Sequence, residues 1–191
     1  MVRERLRHLV PPVLLIAGLL FARYAAAQAL PTATGPGSSV RIGGGVADYH
    51  IQYGQRWLGG AQGWVDANTF WRFGIEAEGR WLRYNQDLGT HETTYLIGPR
   101  VSLLPSPVEP YIKLLAGSAH FAFPYNYARG NYLVVAGGAG VDLHVGQRLQ
   151  IRVIDIEYQQ LPKFTFGTAS SYGVSAGISY TVHRGASWYV H

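Results

Sequence analysis

The sequence predicts an all-β chain: an eight-stranded antiparallel up-and-down β-barrel that crosses a membrane. Three observations carry this. The segment Tyr172 to Val182 alternates almost without a break, with Tyr172, Val174, Ala176, Ile178, Tyr180 and Val182 on one face and Gly173, Ser175, Gly177, Ser179 and Thr181 on the other, as a pleated strand with one apolar side requires. In Phe73 to Tyr84, Glu76, Glu78 and Arg80 share the face opposite Phe73, Ile75, Ala77 and Trp81. A charged side chain turned to lipid near the midplane costs about 2–4 kcal/mol, so that face must point into a lumen. The chain also opens with an export signal. Arg3, Arg5 and Arg7 precede a short apolar stretch from Val13 to Ala22 and the small run Ala25-Ala26-Ala27, with cleavage after Ala27 or Ala29.

Residues 28–38 are a turn-rich lead without periodicity, and eight strand segments follow. The first, near Val40 to Ala47, holds Arg41 inward. The second, Gly60 to Asn68, sets Val65 and Ala67 against Gln62, Asp66 and Asn68. After the third, Phe73 to Tyr84, the fourth runs from Thr93 to Leu104 with Tyr95, Ile97, Pro99, Val101 and Leu103 outward and Thr94, Gly98, Arg100 and Ser102 inward. The fifth, Tyr111 to Phe121, turns Ile112, Leu114 and Ala116 out and Lys113 and Gly117 in. In the sixth, Tyr132 to His144, the outward Leu133, Val135, Ala139, Val141 and Leu143 oppose Gly138, Gly140, Asp142 and His144. The seventh, Leu149 to Gln159, places Asp155, Glu157 and Gln159 inward. Simple parity then turns Arg152 outward, so it either snorkels to headgroups or follows a bulge that shifts the register. The eighth is Ser171 to Val182, which bounds the barrel at residues 39–182 and leaves 183–191 as a tail.

Connectors after strands two, four and six are short, whereas those after one, three, five and seven are longer and rich in Tyr, Asn, Gly and Gln. Short periplasmic turns and long outer loops have this asymmetry in bacterial barrels. Phe70, Trp71, Phe73 and Tyr111 lie by the short turns. Trp57, Trp81, Tyr84, Phe121, Phe123, Tyr125, Tyr127, Phe164, Phe166 and Tyr172 lie near the long loops. Amphipathic rings favour the headgroup level, so these read as two interfacial girdles.

Removing the signal through Ala27 takes away four arginines and one glutamate, leaving twelve basic and ten acidic residues. That near balance argues against a nucleic-acid partner. The absence of cysteine excludes disulfides and thiolate metal sites. Nothing after the signal is a continuous apolar run long enough for a spanning helix, so a membrane form must be a closed sheet.

The inward charges Arg41, Glu76, Glu78, Arg80, Arg100, Lys113, Asp142, Asp155 and Glu157 are near balance in sign. An eight-stranded barrel is just wide enough for side chains to fill, so they read as a polar network that plugs the lumen. Gly173-Val174-Ser175-Ala176-Gly177 matches a nucleophile elbow but lies inside a regular strand, where no sharp turn exposes the serine. His91-Glu92-Thr93-Thr94-Tyr95 lacks the second histidine of a zinc-protease helix, and neither glycine run carries the Lys-Ser/Thr of a phosphate loop. Ser118 and His120 share a face near the outer end of strand five. They resemble the Ser and His of outer-membrane lipid A deacylases, but their order and surroundings differ, and they read as two polar residues of the rim. No catalytic, cofactor or metal residue is assigned.

The eight-strand count, the signal, the inward glycines and the final Gly-Val-Ser-Ala-Gly-Ile-Ser-Tyr segment resemble the small OmpA/OmpX-type outer-membrane barrels, above all their stand-alone opacity-like members. The resemblance covers essentially the whole mature chain. It implies insertion by the barrel assembly machinery, contact with outer-membrane lipids and lipopolysaccharide, and a monomer acting in envelope integrity, adhesion or host contact. Such barrels commonly end on a closing aromatic; here Tyr180 or Tyr189 could serve. The expected function is a non-enzymatic structural or surface-interaction barrel, with Phe123, Tyr125, Tyr127 and Arg129 as loop anchors for a surface ligand. The alternatives are a lipid-modifying enzyme and a narrow channel.

Overall fold

The computed structural model describes residues 38–52, 56–70, 72–84, 91–104, 107–122, 129–164 and 167–185. Residues 1–37, where the export signal and most of the lead are expected, and residues 186–191 lie outside them. Eight strands, β1 (Ser39–Ile51), β2 (Arg56–Phe70), β3 (Phe73–Tyr84), β4 (His91–Ser102), β5 (Val108–Ala122), β6 (Arg129–His144), β7 (Leu149–Phe164) and β8 (Gly167–Arg184), form a closed barrel in sequence order. Every neighbouring pair is antiparallel, and β1 closes the sheet on β8. Several strands run further toward the long loops than the alternation indicates. At the other end β8 continues past Val182 to Arg184, where Gly185 N donates to Ser38 O at 2.6 Å. His183 and Arg184 therefore belong to the barrel wall and not to a tail.

Closure leaves no open sheet edge, and the outward face is an apolar belt that includes Ile42, Val65, Ile75, Ile97, Leu114 and Ile178. Among the described residues no helix is long and apolar enough to cross a membrane; the crossing is made by strands, whose backbone groups satisfy one another. Phe73, Trp57, Trp81, Tyr84 and Tyr172 are exposed on this outer surface.

Tight closure has a steric requirement that inward glycines meet. A Cβ at Gly45 would lie 2.0 Å from Ala176 O, and one at Gly117 would lie 2.0 Å from Tyr95 O. Any side chain at these positions would force neighbouring strands apart, so glycine permits the curvature of a narrow barrel.

The facing of Arg152 is settled by a bulge. The β7–β8 register shifts between Arg152 and Asp155, and the β6–β7 register shifts at Val141/Asp142. Val153 and Ile154 are consecutive yet 47% and 40% exposed, while Arg152 is 1% exposed. The extra residue returns Arg152 to the lumen, so it does not snorkel. A second irregularity lies in β4. The β4–β5 ladder passes from Ile97↔Ala116 to Arg100↔Lys113 without the pairs between them, where Pro99 has no N–H to donate.

Candidate functional site

The lumen is divided along its axis. Toward the long-loop end it is apolar: Tyr49, Ile51, Leu58, Leu82, Leu96, Leu115, Phe121, Val134 and Leu161 pack into one buried cluster. Toward the short-turn end it is ionic. All nine inward charges expected from the sequence are buried there or at mid-barrel, together with Asp66, Glu109 and Arg152.

Lys113 lies at the centre of the ionic part. Its Nζ is 2.6 Å from Asp155 Oδ2, 2.8 Å from Glu78 Oε2, 3.0 Å from Glu76 Oε1 and 3.2 Å from Glu157 Oε2. Glu76, Glu78 and Asp155 bring oxygens close enough together to ligate a cation, but the ammonium already sits on those oxygens. Arg100 joins Asp66 at 2.6 Å, Asp142 at 2.7 Å and Glu76 at 3.3 Å. Arg152 joins Glu76 at 3.0 Å and Asp142 at 3.3 Å. Arg80 reaches Glu157 at 2.6 Å, and its Nε donates to Glu78 Oε1 at 2.6 Å. Near the short turns Arg41 meets Glu109 at 3.2 Å and donates to Gln150 Oε1 at 2.7 Å, while Ser102 Oγ donates to Glu109 Oε1 at 2.5 Å. Glu92 takes its hydrogen bond from Thr94 Oγ1 at 2.6 Å.

Three of these guanidinium groups also lie over aromatic rings, at 4.3 Å for Arg80 on Tyr49, 3.8 Å for Arg100 on Tyr111 and 4.1 Å for Arg152 on Trp64. Each ring in turn faces a glycine directly across the sheet: Tyr49↔Gly173, Tyr111↔Gly140 and Trp64↔Gly43. A Cβ would come within 2.3 Å of Tyr49, 2.5 Å of Tyr111 and 2.2 Å of Trp64 at those positions. The repeating unit is therefore a glycine that makes room, a ring that lies in the space, and an arginine held on its face by the ring quadrupole. Gly140→Val is expected to push Tyr111 from beneath Arg100 and to cost about 1–3 kcal/mol, the usual range for overpacking. A urea titration in detergent would measure this, and Tyr111→Ala in the same background should return part of the loss.

Two girdle assignments need correction. Tyr111 and Phe121 are 1% and 2% exposed and point inward. Both occupy the lumen parity of β5, and the rings are drawn in by Arg100 and by the apolar cluster respectively. Sequence reasoning also left out Glu109, which lies in the stretch read as a connector but is part of β5. The available signal for the apolar half was parity itself, because Leu58, Leu82, Leu96 and Leu115 occupy inward positions.

Ser118 and His120 lie on the outward face. His120 Nδ1 is 2.8 Å from Asn131 Oδ1, and among the described residues Ser118 makes no hydrogen bond to the ring. Phe123, Tyr125 and Tyr127 lie outside the described residues, as does the side chain of Arg129.

No protein-family model matches the sequence, and no curated protein does. Solved structures share the fold. Neisserial surface protein A (NspA) superposes with TM-score 0.61 at 12% identity, covering 75% of this chain and 96% of its own. OprG of Pseudomonas aeruginosa gives 0.56 at 10% identity, covering 78% and 97%. The N-terminal barrel domain of Pseudomonas aeruginosa OprF gives 0.50 at 10% identity, covering 75% and 98%. The fold is that of the small eight-stranded outer-membrane barrels.

Proposed function

We propose that this protein is a sealed barrel of the bacterial outer membrane that acts as a structural and surface-interaction element, without catalysis and without a conducting pore. The single observation that supports it is the filled lumen: an apolar cluster lies above an ion-paired network in which Arg80, Arg100, Lys113 and Arg152 each meet two or more carboxylates. Neither half offers a permeating ion an attractive path. The long-loop half is packed with leucines and rings, its buried Glu92 is bonded to Thr94 and its Gln159 to Glu157, and the charges below are committed to one another. The network serves as the plug, and the chain works as a monomer delivered by the barrel assembly machinery into lipid and lipopolysaccharide.

Interaction then belongs to the long loops, with Phe123, Tyr125, Tyr127 and Arg129 as the anchors. Aromatic and arginine residues dominate recognition hot spots. The test pairs two measurements on the folded protein. In planar bilayers the wild type should show no steady, ion-selective openings, and replacing residues 123–128 by a Gly-Ser stretch together with Arg129→Ser should abolish adhesion while leaving the heat-modifiable gel shift of the barrel intact. Stable channels would favour the pore, and unchanged adhesion would remove the loop from the account.

A further inference from the structure

Of the carboxylates among the described residues, Asp48 alone has neither an ion pair nor a hydrogen bond. It stands on the outward face of β1 toward the long loops, whereas the others are turned into the lumen. Its Oδ1 is covered and unpartnered, and a carboxylate oxygen drawn away from water without a partner is costly. Rings wall its loopward side. His50, next on the same face, pairs across the sheet with Trp57 of β2 and Tyr172 of β8, and its ring centroid is 5.1 Å from each of theirs. Two strands separated by a third lie about 9–10 Å apart, yet the Trp57 and Tyr172 centroids are 6.1 Å apart, edge to face. Both rings therefore lean toward each other over β1. On the β2 side the wall drops, because Asp48 pairs with Gly59, and Gly59 in turn with Tyr84 of β3. A Cβ at Gly59 would lie 3.8 Å from Asp48 Oδ1 and 3.8 Å from Tyr84 Cβ, so this glycine is the floor of a recess between a carboxylate and a phenol ring. The guanidinium of Arg83 is engaged on the far side of β3, donating to Thr93 Oγ1 of β4 at 3.0 Å. One pleat toward the short turns, Val46 and Ala61 pair across the sheet and are exposed.

We infer that this recess on β1–β3 binds a small primary alkylammonium ion, of the kind carried by linear diamines. The unpaired carboxylate accepts the N–H donors of such a group in a charge-assisted hydrogen bond. Trp57 and Tyr84, 46% and 71% exposed, flank the same space, and the negative faces of such rings attract a cation. The chemistry of the recess rejects the other cations. Calcium takes six to eight oxygen ligands, and one carboxylate with one phenol falls far short. A fully methylated ammonium has no N–H to give Asp48. The rings of His50, Trp57 and Tyr172 stand too close together to admit a cation among them, so the ammonium lies beside Trp57, over Gly59. Its methylene stem then runs down onto Val46 and Ala61. Because His50 and Tyr172 already hold the Trp57 ring, little has to be ordered on binding. A floor one residue wide suits a small ligand. The inference goes beyond the sealed-barrel reading and draws on neither the lumen nor the β5–β6 loop.

The test titrates the full barrel, folded in dodecyl maltoside, with cadaverine by isothermal calorimetry. The wild type should bind cadaverine and neither pentanediol nor tetramethylammonium. Asp48→Asn should weaken binding about tenfold, the factor for losing one hydrogen bond to a charged group. Tyr84→Ala should weaken it about threefold, as expected for an exposed cation–π contact. Gly59→Val keeps the carboxylate but fills the floor, and should abolish binding. His183→Gln, at the short-turn end, should leave it unchanged. The heat-modifiable gel shift confirms that each variant is folded. Equal binding of cadaverine and pentanediol would overturn the proposal, as would an Asp48→Asn protein that titrates like the wild type, calcium bound more tightly than cadaverine, or binding confined to an oligolysine peptide. Channels or unchanged adhesion in the earlier experiments would remove the proposed function and leave this site standing, whereas a barrel that ignores cadaverine would remove this proposal alone.

Discussion

Replacing Lys113 by methionine should destabilise the barrel by about 3–5 kcal/mol, the cost of leaving buried charges without their partner. The ammonium lies within 3.2 Å of carboxylate oxygens from Glu76, Glu78, Asp155 and Glu157. Methionine fills much of the same volume, so packing is nearly conserved and the loss reports electrostatics. Without the ammonium the four carboxylates share only the arginines at the edge of the cluster, Arg80, Arg100 and Arg152, and their excess negative charge is felt in a medium that screens poorly. The measurement is the urea midpoint for loss of the folded gel band in lipid vesicles. A triple variant that adds Glu78→Gln and Asp155→Asn should recover a large part of the loss, because it removes the repulsion without restoring any attraction. If Lys113→Met unfolded at the wild-type midpoint, the network would be incidental to stability.

An arginine at Ile97 should cost about 2–4 kcal/mol, the range for a cation on the lipid face near the midplane. Ile97 is 59% exposed, central in β4, and flanked across the sheet by Ala77 and Ala116. The same substitution at Ser118, on that face but close to the headgroups, should cost about 0–1 kcal/mol. The contrast separates depth from side-chain identity, since both variants introduce one guanidinium on one face. Equal penalties, measured by reversible unfolding in vesicles, would mean that the apolar belt does not lie where the register places it.

The alternation of polar and apolar residues was enough to read the strand order and the facing of most of the wall. It reported Glu76, Glu78 and Arg80 reliably because a period of two leaves no ambiguity when three charges share one face. Arg152 escaped it because a bulge inserts a residue without a signature in the local sequence; Val153 and Ile154 look like any apolar pair. Asp66 showed as inward but could not be connected to Arg100, since partners thirty-four residues apart meet only through the barrel's register. Tyr111 and Phe121 were misread for a chemical reason. An aromatic near a strand end suits an interface or a lumen equally well, and only its parity, together with the cation or cluster it meets, decides. The apolar upper lumen was hidden by the expectation that an interior is polar, although Leu82 and Leu96 stood on inward positions in the sequence.

The central ammonium also constrains the order in which the chain can be assembled. Lys113 belongs to β5, but two of its carboxylates come from β3 and two from β7, while Arg152 on β7 neutralises Glu76 on β3 and Asp142 on β6. A nascent sheet that had entered the bilayer with only its first six strands would lack Arg152, Asp155 and Glu157, and would hold its remaining charges in a lumen open to hydrocarbon. Such an intermediate would keep Lys113 on Glu76 and Glu78 and Arg100 on Asp66 and Asp142, but only part of the full network. Strand-by-strand insertion is therefore disfavoured, and the late arrival of β7 becomes the step that commits the polypeptide, with a nucleus built from distant contacts and correspondingly slow to form.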